Sequence, residues 1–158
     1  MKTITNLNTN IMVLIANDIR SAWNVGSFFR TADGIGISKI YLTGYTATPE
    51  NDRVIKTSLG AEKFIPWEKY RNGWRLVDKL KKEGFYIVAL EQTKNSIDIT
   101  KFKPKFPLAL IVGNEIRGVT KGLLDRADKK VAIPQYGHKE SLNVAVAFGI
   151  AVWQITKN

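Results

Sequence analysis

Three stretches of the chain, Ile11 to Ala16, Tyr86 to Leu90 and Leu108 to Val112, are apolar at nearly every position instead of at every second one. Such a run predicts a strand buried on both faces, and strands of that kind belong to parallel sheets covered by helices on either side. Further strands are predicted at Lys39 to Thr43, Lys63 to Trp67 and Lys130 to Ile133. Helical spacing of apolar residues lies between them. Val25, Phe28, Phe29 and Ala32 predict a helix over Val25 to Asp33 with Asn24 as its cap, stopped by Gly34 and Gly36. Trp74, Val77 and Leu80 predict a second helix over Arg71 to Glu83, with Gly84 ending it. A short helix is expected at Thr120 to Asp125. The alternation runs the whole length without an internal repeat or linker, so the fold class is α/β with a largely parallel sheet flanked by helices. One domain over residues 1–158 is expected, residues 1–10 forming a polar extension.

The last segment, Leu142 to Ile155, is apolar on nearly every side, which predicts that it is buried, a second chain being one way to cover it. Ser141 is placed to cap it. Asn143, just inside, is a poor interior helix residue whose polar side chain must find a partner, and that makes it a site candidate. At 14 residues with Asn143 and Gln154 inside it, the segment falls short of the roughly 18 needed to span a bilayer. The chain has no cysteine, which excludes disulfides, zinc fingers, iron–sulfur clusters and thiol nucleophiles. A soluble, cytoplasmic protein is expected. Lys and Arg number 24 against 14 Asp and Glu, a net charge of +10, so the expected partner is a polyanion: nucleic acid first, an anionic membrane surface second.

Parallel sheets bind ligands beyond the carboxyl ends of their strands, which directs attention to the loops after Ala16, Leu90, Val112 and Ile133. Gly34-Ile35-Gly36 lacks a third glycine and follows a helix instead of opening one, so it reads as a helix stop. Gly113-Asn114-Glu115-Ile116-Arg117-Gly118-Val119-Thr120 has the glycine spacing of a P-loop, but Val119 stands where the lysine is required and Glu115 would repel phosphate. It remains a glycine-flanked loop that a ligand can approach closely. The single histidine, His138, cannot form a metal cluster alone, and no metal is expected. Arg30 is flanked by Phe28 and Phe29, which predicts a partly buried guanidinium in need of an anion. Other basic residues cluster in Lys69 to Lys82, Lys101 to Lys105 and Lys121 to Lys130.

Taken together, three blocks resemble the SpoU/TrmH branch of the SPOUT superfamily, the knotted RNA 2'-O-ribose methyltransferases. They are Asn24-Val25-Gly26-Ser27-Phe28-Phe29-Arg30-Thr31-Ala32; Leu110-Ile111-Val112-Gly113-Asn114-Glu115-Ile116-Arg117-Gly118; and Val131-Ala132-Ile133-Pro134 followed by Ser141-Leu142-Asn143-Val144-Ala145-Val146-Ala147. The match covers roughly residues 11 to 156, in the family's order. The resemblance implies a C-terminal trefoil knot, S-adenosylmethionine held by the knot loops, and a homodimer through the C-terminal helix. By position it implies Leu90, Gly113, Ile133 and Leu142 as the cofactor lining. It likewise implies Arg30 as the main catalytic residue, supported by Asn24, Glu115, Ser141 and Asn143.

The implied activity is methyl transfer to a ribose 2'-OH in tRNA. The stretch Glu91 to Asp98 and the ending Val152-Trp153-Gln154 look more like the D-loop guanosine enzymes than those of the anticodon wobble position, with ribosomal RNA a further alternative. Family members with an added RNA-binding domain differ from this chain, whose catalytic domain is expected to contact RNA by itself. A non-catalytic RNA-binding knot protein is the rival from another class.

Overall fold

In the computed structural model, which describes residues 10–157, the first strand β1 (Met12–Asn17) is buried at all six of its residues. The expected polar stretch at 1–10 lies outside the described residues except for Asn10. Met12, Leu14 and Ala16 enter one apolar cluster while Val13 and Ile15 enter another on the opposite face. That division is what a continuous apolar strand requires. Around β1 the chain runs α1 (Ala22–Ile35), β2 (Lys39–Thr43), α2 (Asp52–Ser58), β3 (Trp67–Tyr70) and α3 (Gly73–Lys82). It continues through β4 (Tyr86–Leu90), β5 (Ile97–Asp98), β6 (Leu108–Val112), α4 (Lys121–Leu124), β7 (Lys129–Ala132) and α5 (Val144–Lys157).

The seven strands form one sheet in the order β3-β2-β1-β6-β4-β7-β5, and every pairing is parallel. β6 inserts between β1 and β4, and β7 between β4 and β5, so late strands sit beside earlier ones. One face is covered by α1 and α5, whose Phe28 and Phe148 rings meet edge to face at 5.5 Å. The other is covered by α3 and α4 through Leu76, Val77, Leu80 and Leu123. No helix among the described residues is long and apolar enough to cross a membrane.

Several local expectations shift. Asn24 does not cap α1: the helix starts earlier, and Ser21 accepts from Asn24 N–H. Gly36, at φ 90°, ends the helix, whereas Gly34 lies inside it. The strand expected at Lys63 to Trp67 forms instead at Trp67–Tyr70, because Ala61–Lys63 turns as a short 3-10 helix. Trp74 faces outward, 41% exposed, and Leu76 takes its place in the core beside Val77 and Leu80. Ser141 does not cap the last helix either. Asn143 precedes α5, and its side chain accepts from Ala145 N–H and Val146 N–H.

Gly26, in the second turn of α1, sits against α2. A Cβ there would overlap the Thr57 hydroxyl and the Val54 carbonyl, so the two helices approach only over a bare backbone. Gly26→Ala is expected to lower stability by about 1–3 kcal/mol, as overpacking does, despite alanine's better helix propensity. Urea denaturation of both proteins measures the difference.

Candidate active site

β6, β4 and β7 are adjacent and parallel, with Ala89 beside Ile111 and Leu90 beside Val131. Their carboxyl ends therefore stop side by side, and the loops that follow enclose a cavity of about 300 Å³. Leu90, Gly113, Ile133 and Leu142 all line it, together with Glu115 and Ser141. The volume is at the lower end of the roughly 300–1,000 Å³ usual for small-molecule sites.

The P-loop-like segment forms one wall as a closed turn. Asn114 and Gly118 exchange backbone hydrogen bonds of 3.1 and 2.8 Å, and the Asn114 side chain accepts from Ile116 N–H and Arg117 N–H at 2.9 Å. Gly113 passes so close to the Gly118 carbonyl that a Cβ would overlap it. Glu91, one residue beyond β4, accepts from Val119 N–H at 2.8 Å and ties the turn to the neighbouring strand. Sequence reasoning missed Glu91 and Asn114 as site-builders. Glu91 was signalled only by position, a polar residue directly after an apolar strand, and Asn114 by its place in the second block between Gly113 and Glu115.

At the rim, a carboxylate organises three elements. Glu115 accepts from Arg20 N–H at 2.7 Å, Ser21 N–H at 2.8 Å and Asn24 Nδ2 at 3.1 Å. These donors lie at the N-terminus of α1, where backbone N–H groups lack helical partners and the helix dipole favours negative charge. A carboxylate only accepts, so Asn24 must turn its Nδ2 toward it and its Oδ1 outward, where Asn143 Nδ2 donates at 3.3 Å. Asn24, Glu115 and Asn143 are thus joined, and Ser141, two residues before Asn143, lies on the cavity wall.

Arg30 is not brought to this cavity. It is exposed on the outer side of α1 and lines a separate shallow cleft with Ser27, Thr31, Lys56, Thr57 and Leu59. Phe28 and Phe29 point the other way, into the core, so they do not bury the guanidinium. His138 is exposed on the loop after β7, and among the described residues no group of three or more acidic or histidine side chains could hold a metal ion.

Residues 11–153 match the SpoU rRNA Methylase family. The chain belongs to that family. A tRNA (guanosine(18)-2'-O)-methyltransferase of Aquifex aeolicus is 33% identical over 144 residues, 90% of this chain and 67% of the relative. The solved TrmH/SpoU tRNA modifying enzyme of A. aeolicus superposes with a TM-score of 0.84 at 31% identity, covering 94% of this chain and 75% of that one. The AdoMet-bound rRNA methyltransferase from Sinorhizobium meliloti has a TM-score of 0.87 at 28% identity and covers 93% of this chain. This chain spans only 56% of the Sinorhizobium protein's length.

Removing Glu115 leaves the α1 N-terminus and the Asn24 amide without their acceptor. Glu115→Gln, which trades one acceptor oxygen for a donor, is expected to cost about 1–3 kcal/mol in urea denaturation. Asn24→Asp sets a second carboxylate against Glu115. It also removes the Nδ2 donor, so in urea denaturation it is expected to cost at least as much as Glu115→Gln.

Proposed function

We propose that this chain is a cytoplasmic, S-adenosylmethionine-dependent RNA (ribose-2'-O)-methyltransferase that acts on tRNA, with a guanosine as the preferred target, and that it works as a homodimer through α5. The reading includes a single domain with the C-terminal trefoil knot that the family resemblance implies. The observation that carries it is the cavity at the ends of β4, β6 and β7, with the Asn24–Glu115–Asn143 network at its rim. The relatives named for tRNA guanosine 2'-O-methylation and for AdoMet-bound rRNA methylation support the chemistry.

The residues present suit the cofactor. Leu90, Ile133 and Leu142 would hold a flat apolar base, the backbone edges around Gly113 and Gly118 would take its polar groups, and the Glu140 carboxylate on the same wall would favour a cationic ligand. When bound, S-adenosylmethionine supplies an electrophilic methyl group on a sulfonium sulfur. The chain's task is then to align the ribose oxygen with that methyl and to ease loss of the hydroxyl proton. Arg30 suits the anionic side of this task, binding the phosphate next to the target ribose and stabilising charge that develops on the oxygen. The guanidinium offers donors and no acceptor, so its part is to bind and not to act as a base.

Arg30 is remote from its own chain's cavity, and a second copy resolves that. Val146, Ile150 and Trp153 recur at helical spacing along an exposed face of α5, and Trp23 of α1 is exposed as well. Trp23 and Arg30 are seven residues apart, two turns of one helix face. A copy seated on the apolar surface therefore lies beside Arg30, and each cavity would receive the arginine of the other chain.

Isothermal titration is expected to show S-adenosylmethionine binding in the wild type and none in Ile133→Trp, which fills the cavity. Arg30→Ala and Ile133→Trp are each expected to be inactive on tRNA, whereas co-expressed chains recover about a quarter of the sites, since half of the dimers are mixed and each carries one intact composite site. No recovery would place Arg30 and the cavity in the same chain's site. Nucleoside mass spectrometry of tRNA from a deletion strain is expected to lose one 2'-O-methylguanosine. A loss confined to ribosomal RNA would move the substrate there.

A further inference from the structure

A second cleft opens at the carboxyl ends of β1, β2 and β3, outside the cofactor cavity. Asn17, Lys69, Arg71, Asn72, Trp74 and Arg75 line it, with Thr120 and Leu123 on the far side. Asn17 connects the cleft to a buried polar group. The described residues include four buried polar side chains, and three of them, Asn17, Thr43 and Thr46, meet around the end of β1, with Asn17 alone reaching the cleft. Thr43 Oγ1 donates to Asn17 Oδ1 at 2.7 Å, and Thr46 Oγ1 donates to the Ala16 carbonyl at 3.0 Å.

Asn17 is only 6% exposed, yet its Nδ2 has no hydrogen-bond partner among the described residues. Fully enclosed side-chain nitrogens and oxygens are all paired there, so this N–H₂ faces the cleft. A buried donor kept open in this way wants an acceptor from a ligand.

The walls supply positive charge. Arg71 and Arg75 form no ion pair with a carboxylate of the described residues. Of the two acids at the cleft, Glu68 pairs with Lys39 at 2.9 Å, while Asp18 accepts from Tyr45 N–H at 3.2 Å and its charge acts on Lys69. Lys69 donates to the Thr46 carbonyl, and burial pushes its ammonium below the usual lysine range. The Trp74 ring lies 5.3 Å from the Arg75 guanidinium and 4.7 Å from that of Arg126, which Asp78 anchors. The N-terminus of α3 opens into the same space, with Gly73 packed so tightly on Asn17 that a Cβ would lie 2.7 Å from its Oδ1.

We infer that this cleft is a nucleotide subsite for the RNA substrate, taking a residue that flanks the methylated one. Arg71 and Arg75 bind its phosphates, and Asn17 Nδ2 donates to an acceptor on its sugar or base. The assignment rests on the RNA reading of the chain. The cleft and the cofactor cavity share a partition, where Asn114 Nδ2 donates to the Asp18 carbonyl at 2.9 Å and to the Tyr45 hydroxyl at 2.7 Å. One strand of RNA crossing that partition would meet both.

The test is fluorescence anisotropy of labelled, unmodified tRNA with the full-length protein over about 50–200 mM salt. Arg71→Ala/Arg75→Ala is expected to weaken binding at least about tenfold and to flatten the log–log salt slope by roughly 1.4–1.8, the loss of two phosphate contacts. S-Adenosylmethionine affinity, measured by titration, is expected to stay at the wild-type value. Asn17→Asp keeps the Thr43 hydrogen bond and the side-chain shape, so it serves if the double variant does not fold, and it too is expected to weaken tRNA binding. Wild-type affinity and slope in a folded variant would overturn the subsite while leaving the methyltransferase reading intact. If the wild type itself neither binds nor methylates RNA, that reading fails first, and the subsite with it. Loss of mononucleotide binding with tRNA affinity unchanged would reassign the cleft to a free nucleotide and overturn the RNA assignment.

Discussion

The carboxylate of Glu115 at the N-terminus of α1 fixes the relation between the parts of the candidate site. It belongs to the turn after β6, and the groups it accepts from belong to the entry and first turn of α1. Helix and turn are far apart in sequence, so neither would hold this geometry by local preference. The charge also sets a direction. Because the carboxylate only accepts, the Asn24 amide has one satisfactory orientation, and that orientation presents an acceptor to Asn143. Asn143 in turn accepts from the first N–H groups of α5. A single polar chain thus runs from the cavity wall through α1 to the helix whose apolar face is exposed.

How much of this was legible in the sequence depended on the physical origin of each signal. β4 and β6 lie where the apolar runs placed them, Tyr86–Leu90 and Leu108–Val112, because burial on both faces leaves no polar position to blur the limits. β3 slipped along the chain because it is an edge strand, half-buried, whose apolar signal merges with the turn before it. Trp74 was misplaced for a related reason. Helical spacing alone cannot distinguish a core tryptophan from one stacked between arginines, and here the cationic neighbours on α3 and beyond α4 hold it at the surface. α2 carried little pattern of its own, since only Val54 and Ser58 of its residues are buried.

The candidate site was legible by resemblance and much less by chemistry. Gly113 and Gly118 have the spacing of a phosphate-binding loop, yet they meet as the two ends of a tight turn that Asn114 closes with its own side chain. The same spacing can cradle a ligand or bring two backbone segments together, and only the order of the strands decides between them. Likewise, nothing in a linear reading shows that Asn24 and Asn143, 119 residues apart, share a hydrogen bond. Arg30 marks the opposite limit. Its aromatic neighbours suggested burial, but adjacent positions on a helix point about 100° apart, and the phenylalanines took the core side.

All pairings in the sheet are parallel, so every strand ends on the same edge, and whatever the chain binds through its strand-end loops is presented on one side of the molecule. The insertion of β6 between β1 and β4 divides that edge. To one side lie the ends of β6, β4 and β7 with a cavity walled by Gly113, Gly118, Leu90, Ile133 and Leu142; to the other lie the ends of β1, β2 and β3 with the Asn17 amide and two arginines that form no ion pair among the described residues. This division gives the net charge of +10 a structural meaning that composition alone could not. Much of the excess positive charge is spread over solvated helix faces, where it contributes long-range attraction for a polyanion. Arg71 and Arg75 differ because the buried Asn17 amide lines the same cleft, and an anion drawn there meets a fixed hydrogen-bonding group instead of mobile counterions alone. General attraction and local recognition are therefore separable in this fold, and the topological switch beside β1 places the second next to the cavity at the ends of β4, β6 and β7.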